Sequence, residues 1–148
     1  MDYVANAERG EVIVRLDGAA YPMLPTHEAQ VAVETRTGCS MSELWLRCAQ
    51  YVEAMVRIAA TVDTPGTLAI KPGLGLKLSE LEAIITEFVR AAGKARGDAD
   101  LRAVGSRVLE LIVKDPQAAA GDVYRALQSA VTGGRSVPKG EPPPAASL

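Results

Sequence analysis

The sequence predicts an α+β fold in which an N-terminal two-stranded antiparallel β-hairpin packs on a bundle of four to five α-helices. Three observations carry this. Asp17-Gly18 sits between two apolar-rich runs, Glu11 to Leu16 and Ala19 to Leu24, and supplies two residues able to adopt the positive φ angles of a type I′ hairpin turn. Later segments repeat apolar residues at three- and four-residue steps behind recognisable helix starts. A hairpin with one apolar face is not stable alone in water, so the helices are its cover.

The turn fixes the register. With Asp17 and Gly18 as the loop, Leu16 pairs with Ala19, Val14 with Tyr21 and Val12 with Met23, which puts all six on one face. Pro22 then lies opposite Ile13 at a non-hydrogen-bonded pair, tolerable only on an edge strand, so the sheet ends there. Thr26 is placed to cap a first helix with Glu28 in its opening turn, Ala29, Ala32 and Val33 on one face, and Gly38 as a left-handed cap.

Ser40 and Glu43 form a capping-box pattern that opens a second helix. Its stripe is Leu44, Cys48, Val52, Met55 and Ala59, widened by Met41, Trp45, Ala49 and Val56, and a face that wide calls for burial on two sides. The helix is expected to end before Thr64-Pro65-Gly66, and residues 64–77, with two Pro-Gly pairs, read as a loop. A second capping box, Ser79 with Glu82, predicts a third helix lined by Leu81, Ile84, Ile85, Phe88, Val89 and Ala92 and closed by Gly93. After a polar link from Lys94 to Gly97, Asp98 or Asp100 caps a fourth helix with Leu101, Val104, Val108, Leu111 and Ile112 inside, stopping at Lys114. Asp115-Pro116 starts a fifth, lined by Ala120, Val123, Tyr124, Leu127 and Val131 and ending before Gly133-Gly134.

This gives a flexible N-terminus over residues 1–9, a single domain over 10–133, and a Pro-rich tail over 134–148 that is expected to be disordered. A chain of 148 residues with 48% hydrophobic content suffices for one core. The net charge of −2 argues against a nucleic-acid-coating role, and no apolar run is long enough to span a bilayer, so a soluble, cytoplasmic protein is expected. Two cysteines and one histidine are too few for a disulfide framework or a zinc site.

The residues that could carry chemistry read more simply as structure. The segment from Lys71 to Lys77 is glycine-rich but lacks the P-loop spacing. His27 has no companion nucleophile motif and reads as a solvated first-turn residue. Cys48 reads as a buried small hydrophobe and Cys39 as an unreactive or mildly exposed thiol. Asp98, Asp100 and Asp115 stand at helix-capping positions rather than in a metal loop. Arg90, Lys94, Arg96, Arg102 and Arg107 are interrupted by Glu87, Asp98 and Asp100, as on a solvated mixed-charge surface. No catalytic, metal or cofactor site is expected.

The run Gly10-Glu11-Val12 to Leu16-Asp17-Gly18, with Tyr21, Leu24-Pro25-Thr26, Val33-Glu34, Thr37-Gly38-Cys39-Ser40 and Leu44, resembles the opening of the phage and gene-transfer-agent tail-assembly-chaperone family. A later run from Leu76 to Gly93, with Leu78-Ser79-Glu80-Leu81, Ile84-Ile85 and Ala91-Ala92-Gly93, is similar to that family's second block and follows in the same order. The resemblance implies a non-enzymatic chaperone that holds tail tube subunits, or coats the tape-measure protein, before the tube polymerises. Such a role uses weak apolar contacts, and Trp45, Val52 and Met55 of the second helix with Tyr21 and Met23 of the hairpin are the candidate partner-binding residues. Homo-oligomer formation is compatible with the same surfaces. Two other roles fit these residues: a structural tail component retained in the particle, and a small DNA-binding regulator using the third to fifth helices, against which the acidic net charge weighs.

Overall fold

The computed structural model describes residues 3–61, 75–114 and 116–133. The predicted loop over 64–77, apart from its last three residues, the Asp115 cap and the tail over 134–148 lie outside the described residues. The described chain is an N-terminal two-stranded antiparallel hairpin followed by six helices.

Strand β1 spans Val12–Leu16 and β2 Ala19–Met23. Asp17 and Gly18 adopt φ of 50° and 79°, and the register is the expected one, with Leu16 on Ala19, Val14 on Tyr21 and Val12 on Met23. Val14, Leu16 and Met23 are wholly buried, so the hairpin's apolar face forms one side of the core. Pro22 lies opposite Ile13 as predicted, and the sheet stops at two strands.

Two strands leave two edges unpaired. At the Arg15–Ala20 pair the backbone groups point away from the partner strand, because hydrogen-bonded and non-hydrogen-bonded pairs alternate along an antiparallel ladder. On the β1 side the Arg15 N–H donates to the Asp122 carboxylate at 2.8 Å, and on the β2 side the Ala20 carbonyl accepts from the Tyr3 N–H at 3.2 Å.

Helix α1, His27–Thr37, begins as predicted: the Thr26 hydroxyl accepts from the Ala29 N–H at 3.1 Å, and Gly38 closes the helix at φ 72°. Helix α2, Met41–Thr61, has the Ser40 hydroxyl accepting from the Glu43 N–H at 3.1 Å. The Met41 N–H is taken by the Glu34 carboxylate, which ties the start of α2 to the end of α1.

Helix α3, Leu78–Arg96, is the hub, touching α1, β2 and every helix that follows it. Both of its ends differ from expectation. The helix is capped not by Ser79 and Glu82 but two residues earlier, at Lys77, where the Glu80 carboxylate accepts from the Lys77 N–H at 2.7 Å. It runs through Gly93 and stops at Gly97, which takes the left-handed conformation at φ 68°. Gly93 is buried within the helix for a packing reason: a Cβ there would come within 2.9 Å of the Arg102 N and the Leu101 Cβ.

The predicted fourth helix is broken into α4, Ala99–Ala103, a 3-10 turn at Val104–Ser106, and α5, Val108–Lys114. The break lies where the chain crosses α3, since a Cβ on Gly105 would meet the Thr86 methyl at 2.8 Å. Asp98 caps α4, its Oδ1 accepting from the N–H groups of Asp100 and Leu101. Helix α6, Pro116–Val131, packs Val123, Ala126 and Leu127 into the core against β1 and α2. Residues 3–9 carry a 3-10 turn at Ala7–Arg9 and hydrogen bonds to β2 and α3.

The two kinds of glycine give opposite expectations. Gly93→Ala forces its methyl group against α4 backbone and is expected to cost about 1–3 kcal/mol, the usual range for overpacking a tight site. Gly121→Ala, within α6 with nothing inside 4 Å of the new Cβ, is expected to add ~0.5–1 kcal/mol through helix propensity. Urea unfolding midpoints of the two variants read both signs.

Candidate functional site

Helix α2 carries the candidate contact surface, and its stripe changes character along its length. Met41, Leu44 and Cys48 are buried against the core, Trp45, Val52 and Met55 are half-buried, and Val56 and Ile58 are 64% and 44% exposed. The helix packs on α6 and α1, and its side chains become more exposed toward its C-terminal end. The two-sided burial expected of this helix therefore holds only for its first half among the described residues. The Trp45 indole N–H is enclosed and meets no acceptor among the described residues, and a buried donor left unpaired costs about 1–3 kcal/mol.

The hairpin candidates divide. Tyr21 is half-buried, its ring stacked 6.2 Å from that of Tyr3. Met23 is wholly enclosed, so its side chain belongs to the core and is not available to a partner. Cross-strand pairing placed Met23 correctly on the apolar face, but that face is the one the helices cover.

Buried carboxylates paired with arginines join the elements. Asp122, fully buried on α6, receives the Arg15 backbone N–H and the guanidinium groups of Arg15 and Arg125. Glu11 pairs with Arg96 of α3 at 2.6 Å and accepts the Asn6 N–H at 2.8 Å. Glu80 pairs with Arg47 of α2 at 2.6 Å while capping α3. Burial alone would raise the carboxyls of Glu11 and Glu80, but the facing guanidinium and a backbone N–H outweigh it and hold each below its usual value. The Glu11 and Glu80 clamps were illegible because their partners lie far away in sequence. Asp122 did leave a signal: an acid three residues after Ala119 and four before Ala126, on the helix face that packs inward.

The residues weighed for chemistry stay apart. His27 is exposed in the first turn of α1. Cys48 is enclosed, and burial pushes its thiol up to about 11. Cys39, half-buried, lies 3.5 Å from an Arg47 nitrogen, and hydrogen bonding to Glu43 and then burial hold its thiol above the ordinary value. Arg90 pairs with Glu87 and Lys94 with Glu28 as on the mixed-charge surface the sequence suggested, whereas Arg96 turns to the buried Glu11. Among the described residues no group of three or more acidic, histidine or cysteine side chains is placed to hold a metal ion, and no helix is long and apolar enough to cross a membrane.

The clamps have a pH signature. Glu11 and Glu80 bind protons less readily in the folded chain than in the unfolded one, so the stability they add is complete well above pH 4.5 and lost as the pH falls through their folded-state values. Thermal midpoints should drop across that acid range, with a shallower drop in Glu11→Gln and Glu80→Gln variants. An unchanged pH slope in the double variant would remove both pairs from the acid response. No family model, curated protein or solved structure matches this chain.

Proposed function

We propose that this chain is a non-enzymatic assembly chaperone of a phage or gene-transfer-agent tail, binding the tail tube protein, the tape-measure protein, or both before the tube polymerises. The observation that carries this reading is the second half of α2, where an apolar stripe continues past the core and leaves Val56 and Ile58 in solvent beside half-buried Val52 and Met55. An apolar helix face of this kind, held on a folded body, suits the weak and reversible capture of an aggregation-prone subunit. The motifs from Gly10 to Leu44 and from Leu76 to Gly93 that resemble the family support the same reading.

Co-expression with the tail tube and tape-measure proteins tests it. One of them should co-purify with the chain, and purified tails should lack the chain, since a chaperone departs and a structural component remains at fixed stoichiometry. Val56→Glu is expected to abolish co-purification while changing stability by less than about 0.5 kcal/mol, because the site is exposed. If neither protein co-purifies and tail formation proceeds equally well without the chain, the reading is wrong.

A further inference from the structure

The outer edge of β2 is held by the chain's own N-terminal segment in a manner that describes a ligand. Tyr3 is the key residue. Its N–H donates to the outward-pointing Ala20 carbonyl at 3.2 Å, as one residue of an added strand would. Its ring stacks on Tyr21, the Arg96 guanidinium lies over it at 5.6 Å from the ring centre, and its hydroxyl donates to Asp98 at 3.0 Å. Arg96 also donates to the Val4 carbonyl at 2.7 Å, gripping the backbone of the same segment.

The segment itself is shallowly held. The 3-10 turn that follows has no buried residue, Val4 is 81% exposed, and Gly10 joins the segment to β1 in the left-handed conformation at φ 79°. Tyr3 does not fill the space beside it. A cavity of about 340 Å³ lies next to the stack, lined by Tyr3, Tyr21, Val104 and Arg107 among others.

We propose that the outer edge of β2, with Tyr21 as floor, Arg96 as roof and Asp98 at the end, is a binding site for an extended peptide segment carrying a tyrosine, and that residues 3–6 occupy it in cis as an internal competitor. The edge carbonyl recognises the incoming backbone, the Tyr21 and Arg96 faces recognise an aromatic ring, and Asp98 selects a ring with a hydroxyl at its tip. The proposal does not depend on the tail-assembly reading, because the site is defined by contacts within this chain.

The test uses the full-length Tyr3→Ala variant and an acetyl-capped peptide of residues 2–9 as the probe, followed by amide shifts of Ala20 and Tyr21. The peptide should bind the variant saturably and at least about tenfold more tightly than the wild-type chain, whose own segment competes at high effective concentration. The same peptide with its tyrosine replaced by alanine should not bind. Absence of saturable shifts in a variant that keeps native protection of its α3 amides, or equal binding to variant and wild type, overturns the proposal. Amide exchange in the wild-type chain gives a reading independent of any variant: Tyr3, Asn6 and Glu11 should exchange together, and at least about tenfold faster than the amides of α3. Equal protection of the two sets would equally overturn it.

Discussion

The bond between the Arg15 N–H and the buried Asp122 carboxylate ties the oldest problem of a small sheet to its solution. Two five-residue strands satisfy only the backbone groups that face each other, and the groups on the outer edges must find partners elsewhere or remain in water. Here α6 supplies a carboxylate to the β1 edge and the N-terminal segment supplies an N–H to the β2 edge. With a group on each edge answered and its apolar face laid on the core, the hairpin serves as one wall of a helical body.

Helix α3 transmits this arrangement to the rest of the chain. It holds Phe88, Ile84 and Ile85 wholly out of solvent, and its Phe88 carbonyl takes the Leu24 N–H at 2.9 Å where the chain leaves the hairpin. Small residues set how closely neighbours approach it. Gly93 admits the start of α4, and Gly105 lets the chain cross beside Thr86. Charge pairs then fasten its two ends, Glu80 to Arg47 near the start and Arg96 to Glu11 near the finish.

Local chemistry was readable and tertiary demand was not. Asp17-Gly18 announced the turn, Pro22 confirmed the register, and Thr26 and Ser40 announced the starts of α1 and α2, because each of these acts through neighbours a few residues away. Gly93 was misread as a helix end because a glycine that terminates and a glycine that admits a crossing chain look identical in one dimension. Ser79 likewise matched a capping pattern, but Glu80 reaches back to Lys77 and Glu82 is spent on Arg36. Periodicity identified which face of α2 is apolar. It could not say that only the first half of that face would find a cover among the described elements, since that depends on where α6 and α1 lie.

The Arg15 to Asp122 contact joins residues 107 positions apart, which sets an order of events during synthesis. The hairpin leaves the ribosome early and α6 late, so through most of translation the β1 edge has no carboxylate to meet its exposed N–H. Loop closure over such a span is slow, and an unanswered strand edge attracts other strands in the meantime. The outer edge of β1 thus receives its carboxylate late in biogenesis, and until α6 emerges that edge stays open to other strands.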